Sequence, residues 1–144
     1  MSTATANPYL RTKILTASPE ELRMMLYDGA IKFCRQAREG LEQKNFEQSY
    51  NGLNRAQKIV LELSTSLNSA IDPDLYEKLN SLYTYIYRLL VDANLERSAT
   101  KIDEAIGLIE YEKETWKLLM QQIARRGQGD GEPRPVMSSV STNA

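Results

Sequence analysis

Apolar residues recur at intervals of three and four along most of the chain, a spacing that predicts four amphipathic α-helices. The first helix begins at Ser18, because serine can cap a helix, Pro19 suits the first helical position and Glu21 completes a capping box. Asn45 and Gln48, again three residues apart, form the start signal of the second helix.

Two further starts follow a break at residues 68–71. Asp72 and Pro73 begin the third helix by the same combination of cap and proline, and Thr100 with Asp103 offers the fourth start. The predicted helices cover about residues 18–44, 45–67, 72–97 and 100–126. The apolar stripe that predicts the core face of the first helix consists of Leu22, Met25, Leu26, Gly29, Phe33, Ala37 and Leu41.

The lengths of these helices predict the fold class. Each is roughly 30–40 Å long at 1.5 Å per residue, and short connections between helices of similar length favour antiparallel neighbours. We therefore expect an all-α protein, an antiparallel up-down four-helix bundle over residues 8–126. Residues 1–7 are predicted to be a flexible lead-in, residues 8–16 a short N-terminal cap segment, and the Gly- and Pro-containing residues 127–144 a disordered tail.

The third helix carries more apolar surface than a bundle of this size needs. Beside its core stripe it holds a second set of large residues, namely Tyr76, Tyr83, Tyr85, Tyr87, Leu90 and Val91. A helix that is apolar on nearly every side is either central to a large core or covered by another chain. One interpretation is a groove, built on the second and third helices, for an amphipathic helix of a partner. The other is a set of half-exposed rings at the edge of an ordinary core.

The apolar residues Tyr9, Ile14 and Leu15 lie ahead of the first strong helix start. They could form a lid that occupies the groove when no partner is present, which would protect it from aggregation. The alternative is local packing of this segment against the start of the first helix.

Composition and charge exclude several function classes. The formal net charge is -1, which argues against a basic nucleic-acid surface and against a polybasic membrane anchor. The sequence contains no histidine, so Ser–His and Cys–His pairs and His-containing metal sites are excluded, and we expect no enzyme and no cofactor or metal. No apolar run is long enough to span a membrane, and no signal peptide is evident, so a cytoplasmic protein is expected.

The remaining polar and reactive residues suggest ordinary structural roles. Cys34, the single cysteine, is expected to be a buried and inert thiol that fits a reducing compartment. The charged residues of the first, second and fourth helices predict a solvated face, and these residues are Glu39, Glu42, Lys44, Glu47, Glu110, Glu112, Lys113 and Glu114.

Two runs of sequence carry a family resemblance. Residues 17–22 read Ala-Ser-Pro-Glu-Glu-Leu, and residues 25–31 read Met-Leu-Tyr-Asp-Gly-Ala-Ile. Together with Tyr9, Ile14 and Trp116, these runs resemble the flagellar secretion chaperone family FliS over about residues 8–124.

The resemblance implies an antiparallel four-helix bundle that binds the C-terminal region of flagellin. Such a chaperone prevents premature polymerisation and delivers flagellin to the type III export apparatus at its membrane gate. By position, the resemblance assigns Tyr9 and Ile14 to the lid. It assigns the groove region to Ile59, Leu63, Leu67, Leu82, Tyr83 and Ile86, to which the excess apolar surface adds Tyr85, and the division between groove and core stays open.

A second function remains open from the residues alone. The excess apolar surface could pair with a second copy of the chain, as in a self-associating helical bundle that acts as an adaptor or structural protein. A weak homodimer is a further form that such pairing could take. Neither function requires binding to nucleic acid or insertion into a membrane.

Overall fold

The computed structural model describes residues 8–67 and 73–128, and within them every regular element is a helix. The helices are α1 (Pro8–Thr16), α2 (Pro19–Glu42), α3 (Phe46–Thr65), α4 (Pro73–Glu96) and α5 (Ala99–Gln128). The predicted all-α class is confirmed, and the four long helices fall close to their predicted positions. The predicted tail at residues 127–144 begins within α5, which includes residues 127 and 128. The predicted flexible lead-in, the break at 68–71 and the tail from residue 129 lie outside the described residues.

Capping residues fix where the helices begin. Ser18 forms the predicted capping box of α2, in which its side chain accepts from the Glu21 N–H while the Glu21 carboxylate accepts from the Ser18 N–H. Asn45 caps α3 by accepting from the Gln48 N–H at 3.1 Å. The predicted start of the fourth helix at Thr100 is wrong by two residues, because the Ser98 hydroxyl accepts from the backbone N–H of residue 101 and thereby caps α5.

Two long helices end in the same hydrogen-bonded turn. Lys44 follows α2 with φ 56°, and Arg97 follows α4 with φ 51°. This left-handed residue lets the next backbone N–H reach back to the fifth preceding carbonyl, as Asn45 does to Gly40 at 2.7 Å. Each turn reverses the chain within three residues, so the next helix follows at once.

Small residues bring α2 and α3 into close contact. A Cβ atom on Gly40 would lie 2.8 Å from the Ser49 nitrogen, and one on Gly52 would lie 2.7 Å from the Phe33 carbonyl oxygen. The backbones of the two helices therefore nearly touch at these points. Since Gly40 faces Ser49 whereas Phe33 faces Gly52, residue numbers run in opposite directions along this pair.

The core is formed by short and medium side chains around two buried tyrosines. Its fully buried members include Tyr27, Ala30, Cys34, Leu53, Val60, Leu63, Tyr83, Ile86, Leu90, Ile102 and Ile109. The predicted core face of α2 is confirmed at Ala37, but elsewhere it is rotated by about a quarter turn, because Leu22 is exposed whereas Tyr27, Ala30 and Cys34 are buried. The sequence pattern favoured the large aliphatic residues, yet the close approach of α3 requires small ones on the inner face.

The chain divides into two compact units after Lys113, so that α5 continues from the first unit into the second. In the first unit, exposed ion pairs join α2 to α5, including Arg38 with Asp103 at 2.9 Å. In the second unit, residues 114–128 continue the helix, and Leu118 and Ile123 are exposed there.

Candidate functional site

A shallow apolar pocket lies between α3 and α4. One wall comes from α3 and the other from α4, and the lining residues are Val60, Leu61, Ser64, Tyr83, Thr84 and Tyr87. Leu61 and Tyr87 are exposed at the rim, whereas Val60 and Tyr83 are buried at the base. We call this feature the α3–α4 pocket. Its lining carries no charged group and consists of two aliphatic side chains and four that bear a hydroxyl group.

Two neutral hydrogen bonds lie at one end of the pocket, one between its walls and one within α4. The Ser64 hydroxyl donates to the Asn80 side-chain oxygen at 2.7 Å, and the Thr84 hydroxyl donates to the Asn80 backbone oxygen at 2.9 Å. These contacts involve no charged group, so an apolar partner could pack against the pocket without stripping water from an ion.

The predicted groove residues divide between core and surface. Leu63, Tyr83 and Ile86 are at most 1% exposed and belong to the core. Tyr83 still reaches the base of the α3–α4 pocket, whereas the other two present no surface to a partner in this structure. The sequence left open which of the predicted groove residues belong to the core, and the burial of these three side chains assigns them to it.

The other predicted groove residues lie on different sides of their helices. Ile59 sits against α2, where its Cδ1 atom is 3.2 Å from the position of a Cβ on Gly29. Tyr85 is half exposed and donates a hydrogen bond to Glu104 of α5 at 2.7 Å. Leu67 and Leu82 are partly exposed. Because residues two apart on a helix are separated by about 200°, Tyr85 faces away from the α3–α4 pocket that Tyr87 lines.

The predicted lid is a helix with no buried residue. The sequence predicted only a cap segment at residues 8–16, and the structure shows α1 there. Tyr9 and Leu15 are about three-quarters exposed, and Ile14 is 44% exposed. The role of α1 as a lid stays a prediction.

A buried polar cluster lies behind the pocket, and sequence reasoning missed it. Arg23 of α2 is 8% exposed, and its guanidinium donates to the Tyr83 hydroxyl at 2.8 Å, to the Leu63 carbonyl at 3.3 Å and to the Ser66 hydroxyl at 3.1 Å. The Tyr27 hydroxyl lies 2.6 Å from that of Tyr83. We call Arg23, Tyr27, Ser66, Tyr83 and Glu112 the Arg23 cluster, of which Ser66 is the exposed member.

Glu112 is the acidic member of this cluster, and its predicted place on a solvated face is wrong. It is 4% exposed, because it follows Ile102, Ala105 and Ile109 at helical spacing on the buried face of α5. Burial raises the pKa of Glu112 above its usual 4.5, while the Arg23 charge and a hydrogen bond with Tyr83 partly oppose that rise. Burial likewise raises the pKa of both tyrosines.

The chemistry of these groups suits packing and recognition. Cys34 is buried as predicted, and burial raises the pKa of its thiol to about 12, so the reactive thiolate is scarce near neutral pH. In residues 8–67 and 73–128, no group of three or more His, Cys, Asp or Glu side chains could hold a metal ion. None of the helices described is both long and apolar enough to cross a membrane.

The fold and pocket define a small all-helical protein with an apolar depression between two helices. A sequence profile described as "Flagellar protein FliS" matches residues 1–123. The chain therefore belongs to the FliS family, which confirms the resemblance carried by its two sequence runs.

Relatives in three bacteria agree with this assignment. The chain is 34% identical over 131 residues to the flagellar secretion chaperone FliS of Bacillus subtilis, covering 89% of this chain and 97% of that protein. It is 31% identical to the protein of the same name in Campylobacter jejuni, covering 77% and 87% of the two chains. The corresponding Salmonella typhimurium protein is 33% identical, with coverage of 79% and 85%. These relatives are named chaperones, so the prediction that the chain is not an enzyme is confirmed.

A solved structure shares the fold. A chain described as "Crystal structure of flagellar chaperone from bacteria" matches with a TM-score of 0.68 at 22% identity, covering 83% of this chain and 98% of that one. The likeness supports the helical architecture described above.

Proposed function

We propose that this protein is a cytosolic export chaperone that binds the C-terminal region of flagellin, keeps it from polymerising and delivers it to the flagellar type III export apparatus. The observation that carries the proposal is a neutral apolar pocket, rimmed by Leu61 and Tyr87, on a member of the FliS family. Delivery would bring the loaded complex to the export gate at the membrane.

The proposal includes an antiparallel up-down bundle of the four long helices. Three neighbouring pairs support it. Gly40 and Gly52 of α2 and α3 meet Ser49 and Phe33 in opposite order. Ser64 and Leu61 of α3 face residues 80 and 84 of α4. In α2 and α5 the ion pairs join Asp28 to Lys113 and Arg38 to Asp103.

The pocket suits a helix that forms on binding. A chain end that is disordered when free can fold as it binds. It then forms helical hydrogen bonds and buries apolar side chains against the chaperone. The partner would seat an apolar side chain between Leu61 and Tyr87 and place small polar ones over Ser64 and Thr84. Because these residues carry no charge, affinity should depend little on salt.

In the same proposal α1 acts as a lid for the empty chaperone. Its apolar residues Tyr9, Ile14 and Leu15 are all exposed in the structure, so α1 presents surface that could cover a neighbouring apolar face. A lid would weaken the apparent affinity for flagellin, because only the open form could bind and it would be only a fraction of the population.

Calorimetry with a peptide of the host flagellin's C-terminal region tests the proposal. We expect one-to-one binding by the full-length chain and a negative heat-capacity change from apolar burial. We also expect the affinity to stay similar when the salt concentration is raised roughly tenfold, from about 50 to about 500 mM. A peptide from the middle of flagellin is the control. Absence of heat at every temperature, or equal binding of both peptides, would refute the proposal.

The alternative is a self-associating bundle. Leu15 and Leu95 are 76% and 79% exposed, and such apolar side chains are available for contact with a second copy of the chain. Sedimentation separates the two functions. A chaperone is expected to become a one-to-one complex when flagellin peptide is added, whereas a structural bundle would remain a dimer that the peptide does not dissociate.

A further inference from the structure

We propose that Arg23 is a positioning residue for partner binding, because it holds both walls of the α3–α4 pocket from inside the protein. This inference rests on the proposed function, since it assigns to Arg23 the shape of the surface on which flagellin would dock. Arg23 belongs to α2 and does not line the pocket.

The guanidinium joins the two walls through separate hydrogen bonds. On the α3 side it donates to the Leu63 carbonyl and the Ser66 hydroxyl, which flank the pocket residue Ser64 in the last turn of the helix. On the α4 side it donates to the hydroxyl of Tyr83, whose ring forms the pocket base. A planar fork with several donors can hold these acceptors at fixed separations, which a lysine ammonium cannot do.

Tyr83 is the connection between the cluster and the pocket. Its ring lies beside Val60 and Leu61, while its hydroxyl accepts from Arg23 and is hydrogen-bonded to the hydroxyl of Tyr27. Tyr83 also hydrogen-bonds Glu112 of α5, and this bond partly opposes the rise that burial causes in the pKa of Glu112. The far end of the ring is therefore held by residues of two other helices, α2 and α5.

This arrangement makes the pocket available before a partner arrives. A binding surface that is already in its bound form loses less freedom on association, so fixing the Tyr83 ring and the α3 wall raises affinity without any contact between Arg23 and the partner. The same bonds stabilise the fold, and the test must separate the two effects.

The first test compares Arg23→Lys with Arg35→Lys in the full-length chain. Both changes keep a cation on α2, but Arg35 is exposed and pairs with Glu110 at the surface, far along the helix from the cluster. We expect Arg23→Lys to bind flagellin C-terminal peptide about tenfold more weakly at a temperature where circular dichroism shows it fully folded, and Arg35→Lys to bind within twofold of wild type.

A purely structural role would not produce that result. Apparent affinity depends on the fraction of the protein that is folded and able to bind. Lower stability alone therefore leaves the affinity of a variant unchanged as long as it is fully folded. Binding by Arg23→Lys within twofold of wild type would therefore overturn the inference.

Tyr83→Phe provides a second variant that keeps the ring and removes the hydroxyl, with Tyr111→Phe on α5 as the exposed control. Methyl NMR of the peptide-free protein then reports the pocket directly. We expect Val60 and Leu61 methyl signals to shift in Tyr83→Phe and in Arg23→Lys, and to remain in place in Tyr111→Phe. Unshifted signals in both cluster variants would overturn the inference.

The two arms keep the inference separate from the proposed function. If wild-type protein fails to bind the peptide, the flagellin proposal fails, whereas the methyl shifts still decide whether Arg23 positions the pocket walls. If Arg23→Lys does not fold, Tyr83→Phe supplies both the affinity and the methyl comparison.

Discussion

Arg23 and Glu112 are charged side chains that remain inside the first unit by meeting polar groups of other helices. An isolated buried charge is costly, and removing one partner from a buried network leaves the others uncompensated. Here the hydroxyl of Tyr83 lies between the guanidinium and the carboxylate, so both charges act on one neutral group. The cluster thus ties α2, α3, α4 and α5 to a single arrangement.

The sequence contained a signal for both residues. Arg23 precedes Tyr27, Ala30 and Cys34 by four, seven and eleven residues, which places it on the most buried face of α2. Glu112 continues the buried face of α5 in the same way. Charge led to the prediction that Glu112 lies on a solvated face, and Arg23 was given no role, because a single sequence cannot show that a hydroxyl of another helix lies opposite them.

A first prediction concerns Glu112→Gln. Because the folded state holds the Glu112 proton more tightly than the unfolded chain, this group's stabilising contribution is present below pH 4.5 and is lost as pH rises through the raised pKa. Because glutamine has no carboxyl group, the Glu112→Gln variant does not lose this stability as pH rises. Urea unfolding from pH 4 to 7 should therefore show its free energy of unfolding gaining on that of wild type as pH rises, by about 1.4 kcal/mol for each unit of pKa shift.

Two parallel stability curves over that range would contradict the assignment of Glu112 to a buried, proton-binding site. Glu114→Gln, two residues further along α5 at an exposed position, is the matched control, because its side chain is outside the Arg23 cluster.

At the scale of elements, backbone contact between α2 and α3 is the tightest feature of the fold. Gly40 and Gly52 allow an approach that any side chain would block. Alanines at positions 30, 37 and 56 extend this small-residue surface and are fully buried. The two helices consequently form the most closely packed part of the first unit, against which α4 presents Tyr83 and Ile86.

A second prediction compares two helical glycines. In Gly52→Ala the new methyl would meet the Phe33 carbonyl oxygen at 2.7 Å and the Ala37 nitrogen at 3.0 Å, so α2 and α3 must move apart. We expect a loss of about 1–3 kcal/mol in the free energy of unfolding. Gly107→Ala, where nothing lies within 4 Å, should gain about 0.5–1 kcal/mol by restricting the unfolded chain.

Denaturant titration of both variants checks this pair. Equal effects of the two substitutions, in either direction, would show that α2 and α3 do not meet as closely at Gly52 as the structure has them.

Local signals explain which elements were predictable. The capping box at Ser18, the cap at Asn45 and the proline at the start of α4 are encoded within four residues, and all three appear in the structure. The α1 helix was not predicted, since residues 8–16 lack a cap and have no acidic residue in their first turn.

For the molecule as a whole, the apolar excess of α4 divides into two faces. Tyr87 lines the α3–α4 pocket, whereas Tyr85 contacts Glu104 of α5 on the other side of the same helix. A partner that touched both residues would have to pass around α4. The sequence indicated that α4 has too much apolar surface, but it could not assign each tyrosine to core, pocket or far side, because this depends on the rotation of the helix in the bundle.

In the proposed function, flagellin's C-terminal region docks over the α3–α4 pocket. Leu61 tests this claim most cleanly, because it is exposed at the rim and its replacement leaves the core intact. Leu118 on α5 is its matched control, since the two leucines are 52% and 54% exposed and neither belongs to the core.

The decisive measurement is the affinity of Leu61→Asp and Leu118→Asp for flagellin C-terminal peptide, with helicity monitored by circular dichroism. We predict that Leu61→Asp weakens binding by about thirtyfold or more, because an ionised carboxylate would be buried against an apolar helix, and that Leu118→Asp binds like wild type. Equal affinities of the two folded variants would contradict the account.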